Sequence, residues 1–289
     1  STKIKALIDF NIHIKKGSIH GLLGPNGAGK STFINILGGL VKKNTGIVKI
    51  CGIDIDKDAK KSKFKIGIVP QELNIDPFFT PAELLELQAG LYGIPKQKRK
   101  TDEILHNLKL TEQRNAYART LSGGMRRRLL IAKALVHSPE IIILDEPTAG
   151  VDIDIRSSVW RYIKKINKLG TTICLTTHYL EEAENLCDTI SIINFGKKIK
   201  EDTKENLLNI ISNKTVSFII DNDYSIPEEL KIYNPLKGTS KLTLQYDKNK
   251  TNLKSIINIL NKEKIDFKEI NTFESDLEDV FLKLVKNND

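Results

Sequence analysis

The 289-residue sequence is poor in the features that mark extracellular and membrane-spanning proteins. Its three cysteines, Cys51, Cys174 and Cys187, include no CxxC pair, so the sequence predicts neither a zinc site nor a disulfide framework. No run of eighteen apolar residues is present, and the first residues lack the apolar centre of a signal peptide. We therefore expect reduced thiols in a cytosolic protein without a transmembrane helix.

Positive charge is in excess, with 45 Lys and Arg against 36 Asp and Glu and a formal net charge of +9. Such an excess permits a nucleotide, a nucleic acid or a phospholipid surface as partner. The lysines are scattered through the sequence instead of forming one block, so we interpret the charge as compositional bias. We expect no nucleic-acid partner.

Short apolar segments alternate with helical ones over residues 1–212, which predicts an α/β fold with a mostly parallel sheet. The segment 72–138 is nearly all helical and interrupts this alternation as an inserted helical subdomain. The predicted strands are IDFNIHI (8–14), IHGLL (19–23), GIVKI (46–50), IGIV (66–69), IIILD (141–145), TTICLTT (171–177) and TISIIN (189–194).

The sequence changes character after about residue 212. Three predicted strands, at 217–220, 241–246 and 266–270, surround a helix over 251–264. A final helix follows, with Ser275 and Glu278 as a possible capping box. Residues 213–289 are therefore predicted to form a separate small α/β domain without a catalytic constellation.

The segment GPNGAGKST at 24–32 has the pattern G-x-x-x-x-G-K-[ST] between an apolar strand and a helix. Its glycines let backbone N–H groups point at phosphate oxygens, while Lys30 reaches the β- and γ-phosphates and Ser31 can ligate Mg²⁺. The flanking strand and helix separate this phosphate loop from a chance glycine-rich turn. The predicted nucleotide-binding residues are Gly24, Pro25, Asn26, Gly27, Ala28, Gly29, Lys30, Ser31 and Thr32.

Two carboxylates end the apolar strand IIILD, in the segment IIILDEP at 141–147. Asp145 would lie at the sheet edge beside the phosphate loop, where it can hold Mg²⁺ directly or through water. Glu146 is the candidate general base or water-orienting group. The competing interpretation is that both residues merely begin a solvated loop.

Gln71 and His178 also follow predicted strands. A glutamine there can touch Mg²⁺ or the attacking water, and a histidine can donate to a γ-phosphate. Taken alone, each pattern also fits an ordinary surface glutamine and a structural histidine.

The segment LSGGMRRRL at 121–129 begins a predicted helix. Ser122, Gly123 and Gly124 present the free N–H groups and positive dipole end of that helix. This is an anion site without an anion in its own chain, because the phosphate loop already holds the nucleotide. We interpret the three arginines, at 126–128, as a solvated helical face.

These motifs together resemble the ATP-binding subunit of ABC transporters over about residues 1–212. GPNGAGKST resembles the Walker A motif, PQE with Gln71 the Q-loop, LSGGM the family signature, IIILDEP Walker B, AGVD the D-loop and TTH the switch histidine. The combination is very specific, and the motifs follow the family's order. More loosely, the tail with DLEDVFLKLV resembles export ATPases of the drug, polysaccharide and Nod-factor type.

The resemblance implies a P-loop NTPase (RecA-like) core with an antiparallel β subdomain and a helical insert. It also implies ATP hydrolysis with Mg²⁺ held by Ser31, Gln71 and Asp145. Two copies would sandwich the nucleotides head to tail, with Ser122, Gly123 and Gly124 contacting the other copy's γ-phosphate and Asp152 linking the two sites. Gln71 and the insert would face a permease on a separate chain, at the cytoplasmic face of the membrane.

Two other functions remain open from the residues: a soluble ABC ATPase acting on DNA or ribosomes, and a P-loop regulatory switch. The long coiled coils or duplicated cassettes of the first class are missing from the sequence, and the signature disfavours the second. The family usually stacks adenine on an aromatic residue near the start of the cassette. No aromatic precedes Phe10, which we assign to the core, so this residue lies upstream of Ser1 or is absent.

Overall fold

The computed structural model describes residues 5–150, 153–220, 224–274 and 276–286. The chain divides into two compact units, residues 1–204 and 205–289. The first unit ends at Lys204, before the boundary at about 212 that the sequence predicts. The change in composition used to draw that boundary comes only after the first unit has ended.

A six-stranded sheet organises the first unit. Its strands are β1 (Ile19–Leu23), β4 (Ile66–Val69), β5 (Ile141–Asp145), β6 (Thr172–Thr177), β7 (Thr189–Asn194) and β8 (Lys197–Thr203). Their order is β4-β5-β6-β1-β7-β8, and every neighbouring pair is parallel except β7 with β8. Parallel strands buried on both faces are continuous apolar runs in the sequence, which explains why the five parallel strands were predicted and the charged strand β8 was not. Two short strands, β2 (Lys49–Ile50) and β3 (Ile53–Asp54), form an antiparallel hairpin.

Seven α-helices belong to the described part of the first unit: α1 (Lys30–Leu37), α2 (Ala59–Phe64), α3 (Pro81–Leu91), α4 (Thr101–Asn107), α5 (Gly123–Leu135), α6 (Ile153–Lys168) and α7 (Leu180–Leu186). Helix α3 starts with proline at its first position and a capping box between Thr80 and Glu83, two local signals that fix a helix start. None of the helices within the described ranges has the length and hydropathy needed to cross a membrane.

The predicted strand over 8–14 is wrong. Even-numbered side chains in this segment are partly buried, and Phe10 packs edge-on against Phe33 in the core, as expected. However, Asp9 has a left-handed φ of 47°, and no strand of the described chain pairs with the segment. One backbone hydrogen bond, from Ile8 N to Gly196 O at 2.8 Å, ties it to the fold. An alternating pattern reports one buried face, whereas a strand also needs a partner for its backbone groups. For the same reason GIVKI contributes only the two residues of β2.

The second unit contains a four-stranded antiparallel sheet in the order β10-β11-β9-β12. From Lys204, the last residue of the first unit, the α-helices and strands are α8 (Lys204–Leu208), β9 (Asn213–Ile219), β10 (Leu236–Lys237), β11 (Lys241–Asp247), α9 (Leu253–Lys262), β12 (Glu269–Glu274) and α10 (Leu277–Lys286). Ile256 and Leu260 of α9 belong to the same buried cluster as Val216, Phe218 and Leu244 of the sheet.

The start of α10 is capped by a different residue from the one considered in the sequence. Ser275 lies outside the described residues. Asp276 Oδ1 accepts hydrogen bonds from the N–H groups of Glu278 and Asp279, at 2.9 and 3.0 Å. A carboxylate at this position satisfies two of the free donors that every helix start exposes.

Candidate nucleotide site

Four loops meet at one edge of the large sheet because they follow the carboxyl ends of parallel strands. The phosphate loop follows β1, Gln71 comes shortly after β4, Glu146 directly follows β5, and His178 directly follows β6. In open α/β sheets this edge is where ligands bind. The topology therefore brings together residues that are up to 154 positions apart (178 − 24).

The phosphate loop requires glycine at its end. Gly29 has a φ of 109°, and a Cβ built on it would lie 2.6 Å from the carbonyl oxygen of Ala6. Gly27 is also left-handed, with a φ of 80°. These conformations curl the backbone directly into α1, which begins at Lys30. The loop therefore presents a helix N-terminus with its free N–H groups, as an anion site requires.

The ammonium group of Lys30 is buried between the loop backbone and a carboxylate. Its Nζ donates to Gly24 O at 2.7 Å and Pro25 O at 3.1 Å, and it lies 3.7 Å from Glu146 Oε1. Burial lowers the pKa of Lys30, and the nearby charges of Glu146 and Asp145 oppose that shift. Phosphate oxygens can replace the two carbonyl oxygens as acceptors with a gain in charge attraction.

The carboxylate of Glu146 lies at the centre of the site, and only 4% of this residue is exposed. Gln71 Nε2 donates to its Oε2 at 2.9 Å, and Lys30 lies near its Oε1. His178 Nδ1 lies 3.0 Å from the same Oε1, without the alignment of a hydrogen bond. Three residues selected independently from the sequence thus surround one carboxylate, and the solvated-loop interpretation of Glu146 is wrong.

Asp145 holds the end of β5 and keeps acceptor capacity for a cation. Thr176 Oγ1 donates to its Oδ1 at 2.6 Å, and no described side chain hydrogen-bonds to its Oδ2. Burial raises the pKa of Asp145, with a further rise from the charge of Glu146. A carboxylate, the Ser31 hydroxyl and the Gln71 amide are oxygen ligands of the kind that Mg²⁺ prefers, so the residues fit that ion.

Ser122 of the signature segment caps helix α5, and the first residues of this helix start are exposed to solvent. Ser122 Oγ accepts a hydrogen bond from Met125 N at 3.3 Å. Ser122 and Gly123 are exposed, and a Cβ at Gly123 would meet nothing within 4 Å. Within the described chain no hydrogen bond joins this helix start to the phosphate loop. Asp152, the predicted link between two sites, lies outside the described residues.

The interpretation of the arginines as a solvated face is wrong for Arg127, which is 1% exposed. Its guanidinium donates to Pro70 O at 2.7 Å and to Glu146 O at 2.8 Å. The spacing of residues 124, 127, 131 and 134 is helical, and this pattern could have indicated that Arg127 lies on the buried face. Gly124, Arg127, Ile131 and Ala134 are all buried. Arg126 and Arg128 are partly exposed.

Glu182 is a second buried residue that the sequence did not single out. Its Oε1 accepts hydrogen bonds from Thr148 Oγ1 at 2.7 Å and Trp160 Nε1 at 3.1 Å. Burial raises the pKa of Glu182. Thr148 precedes the AGVD segment and Trp160 lies on α6 beyond it, so Glu182 ties together both sides of that segment.

Comparison with known proteins agrees with this geometry. The sequence model of the family "ABC transporter" matches residues 7–149. The linearmycin resistance ATP-binding protein LnrL of Bacillus subtilis is 42% identical over 209 residues, covering 72% of this chain and 67% of that protein. The daunorubicin resistance ATP-binding protein DrrA2 of Streptomyces coeruleorubidus is 31% identical over 290 aligned positions, covering 97% of this chain and 90% of that protein. The Nod factor export ATP-binding protein I of Ralstonia nicotianae is 38% identical, over 69% of this chain and 63% of that protein.

Solved structures share the fold of much of this chain. An ATP-binding subunit of an ABC transporter superposes with a TM-score of 0.65 at 26% identity, covering 73% of this chain and 88% of that one. The ATP-binding cassette MJ0796, in a dimeric post-hydrolysis state with ADP and Pi, gives a TM-score of 0.60 at 31% identity over 68% and 90% of the two chains. The predicted α/β P-loop fold class is confirmed. The chain belongs to the ABC transporter family, as an ATP-binding subunit that hydrolyses ATP.

Proposed function

We propose that this chain is the motor subunit of a membrane exporter, and that it acts on ATP as a head-to-tail pair of identical copies. The names of the similar proteins, which concern drug resistance and Nod factor export, support the direction of transport. The observation that carries the catalytic part is the convergence of Lys30, Gln71 and His178 on the buried carboxylate of Glu146.

Each residue at this edge has a task that its surroundings support. The phosphate-loop N–H groups and Lys30 bind the phosphates of ATP. Glu146 orients the attacking water and accepts its proton, and His178 donates to the γ-phosphate. Asp145, Ser31 and Gln71 would hold Mg²⁺, which supplies charge neutralisation to the phosphates when it is bound.

The open start of α5 is the half-site for a second copy. Ser122, Gly123 and Gly124 would contact the γ-phosphate held by the partner's phosphate loop, with Asp152 crossing between the sites. A solved dimer of a similar cassette supports this arrangement. To convert a mostly open pair into a mostly closed one, ATP must favour the closed form by about 5 kcal/mol. Charge-assisted hydrogen bonds in two sites can supply this, and hydrolysis removes them.

A groove in the helical segment is the proposed docking site for a permease on a separate chain, at the cytoplasmic face of the membrane. The cavity has a volume of about 200 Å³ and lies between the segment after Gln71, helix α3 and helix α5. Apolar side chains on and near it are exposed, among them Phe78 and Leu87. The lining residues are Asn74, Ile75, Asp76, Phe79, Leu84, Leu87, Leu129, Leu130 and Lys133.

Replacing Glu146 by glutamine tests the catalytic assignment. The Glu146→Gln variant should bind ATP as the wild type does, because its shape is conserved and Lys30 is untouched. Its turnover should fall roughly 100-fold or more, since the amide cannot accept the proton. The matched control is Glu140→Gln, which changes an exposed carboxylate just before the other end of β5 and should leave turnover unchanged. Hydrolysis by Glu146→Gln at the wild-type rate would disprove the assignment.

A further inference from the structure

The guanidinium of Arg127 holds the backbone on both sides of the Gln71–Glu146 contact. One nitrogen donates to the carbonyl oxygen of Pro70, the residue before Gln71, at 2.7 Å. Another donates to the carbonyl oxygen of Glu146 itself at 2.8 Å. A single planar group therefore sets the spacing between the two loops that carry the water-orienting glutamine and the base.

Arg127 also belongs to the helix that begins with the signature. It lies five residues after Ser122, which corresponds to roughly 7–8 Å along the axis of α5. Arg127 lies on the buried face of helix α5, together with Gly124 and Ile131. Helix α5 therefore connects the signature segment to the carbonyl oxygen of Glu146 through the Arg127 hydrogen bond.

Retaining a charge at this buried position is costly. Burial lowers the pKa of Arg127, and the neighbouring carboxylates of Glu182 and Asp145 act in the opposite direction. Its Nε has no hydrogen-bond partner among the described residues. An apolar side chain of similar volume would fill this site at lower cost, which favours a role for the two carbonyl contacts beyond packing.

We propose that Arg127 is a positioning residue that couples the two nucleotide sites of the dimer. When the start of α5 engages the γ-phosphate on the partner's phosphate loop, Arg127 places Glu146 and Gln71 against the nucleotide of its own chain. Hydrolysis in one site then depends on occupancy of the other. This inference rests on the head-to-tail dimer proposed above.

The first test compares three single variants by steady-state ATP hydrolysis. Arg127→Met removes both carbonyl contacts but preserves bulk, and Arg127→Lys offers a point charge that cannot span them. Arg128→Met is the matched control, because Arg128 also donates to two carbonyls, those of Leu108 and Lys109, away from Glu146. We expect Arg127→Met to lower kcat on the order of 100-fold with KM and ATP stoichiometry unchanged. Its Hill coefficient for ATP should fall to 1 from a wild-type value above 1, Arg127→Lys should be intermediate, and the control should resemble the wild type.

The second test asks whether Arg127 acts through Glu146. Residues that act as a unit are not additive, so Arg127→Met should cause no further loss in a Glu146→Gln background. Losses that multiply in the double variant, or an Arg127→Met variant with wild-type kcat and Hill coefficient, would overturn the inference. If Arg127→Met does not fold, the same comparison with Arg127→Lys decides. Wild-type turnover by Glu146→Gln alone would instead refute the proposed catalytic function, so the two failures are distinguishable.

Discussion

At the scale of single residues, Glu146 shows how the fold concentrates strain at the site. Its φ of 45° places a residue with a side chain in the left-handed region, which costs on the order of 1–3 kcal/mol. Three hydrogen bonds hold its backbone: Glu146 N donates to Thr176 O at 3.0 Å, and Glu146 O accepts from Ala149 N at 3.1 Å and from the Arg127 guanidinium. The turn directs the carboxylate away from the path of β5 and towards Gln71 and His178.

The burial of Asp145 is expected to make the stability of the protein depend on pH. The folded protein holds a proton on Asp145 more tightly than the unfolded chain does, because burial raises its pKa above the ordinary 3.8. Ionisation of Asp145 therefore costs folding free energy once the pH has passed the raised value, and this cost is absent below 3.8. We expect Asp145→Asn to be more stable than the wild type at pH 7 to 8, with the gain vanishing as the pH falls towards 3.8. Urea unfolding across this pH range measures it.

The control for this prediction is an aspartate with the opposite shift. Hydrogen bonding to the N–H of Lys61 lowers the pKa of Asp58, so its contribution to stability is present above 3.8 and lost below the lowered value. Asp58→Asn should accordingly be less stable than the wild type at neutral pH. If Asp145→Asn also lost stability there, burial would not be the main influence on Asp145.

The sequence indicated the side chains that converge at the site, but not the buried arginine that hydrogen-bonds to the loops carrying two of them. Lys30, Gln71, Glu146 and His178 were recognised because each stands in a short local pattern after a strand. Arg127 was missed because its two partners, Pro70 and Glu146, are 57 and 19 positions away. Such long-range contacts leave no local pattern other than the helical spacing of α5.

At the scale of elements, burial decides which predictions succeed. The strands β1, β4, β5 and β7 have the predicted bounds, because buried parallel strands are continuous apolar runs bounded by turns. The segment 8–14 was predicted to be a strand because it has one buried face, yet no strand among the described residues pairs with it. Pairing depends on contacts between distant segments, which alternation in one segment does not encode.

The groove beside α3 can be tested by placing a charge on its lining. Leu87→Asp places a charge on its lining and should abolish copurification with a multi-spanning membrane partner, while hydrolysis by the isolated subunit stays at the wild-type rate. The measurement is affinity purification from detergent-solubilised membranes of the source cell, followed by identification of bound integral-membrane chains. Leu169→Asp is the matched control, since Leu169 is an exposed leucine outside the groove. Equal recovery of the membrane partner with both variants would argue against this docking site.

At the scale of the whole molecule, the proposed catalytic groups lie together, whereas the proposed half-site at the start of α5 lies apart from them. Lys30, Asp145 and Glu146 gather at one edge of the sheet, whereas the exposed Ser122 at the start of α5 makes no hydrogen bond to the phosphate loop in the described chain. An ATPase that works as a single copy would have no use for the anion site that we propose at the start of α5. The arrangement is explained if one copy's signature completes the other copy's phosphate loop.

The solution mass of the Glu146→Gln variant in ATP tests this claim most directly. Because it binds ATP without turnover, it should accumulate as a dimer, with about twice the mass of the 32.5 kDa chain by light scattering. Adding Ser122→Arg should return the mass to that of a monomer with ATP still bound at one per chain, since only the partner's site is blocked. A dimer of the double variant, or its loss of ATP binding as a monomer, would contradict the account.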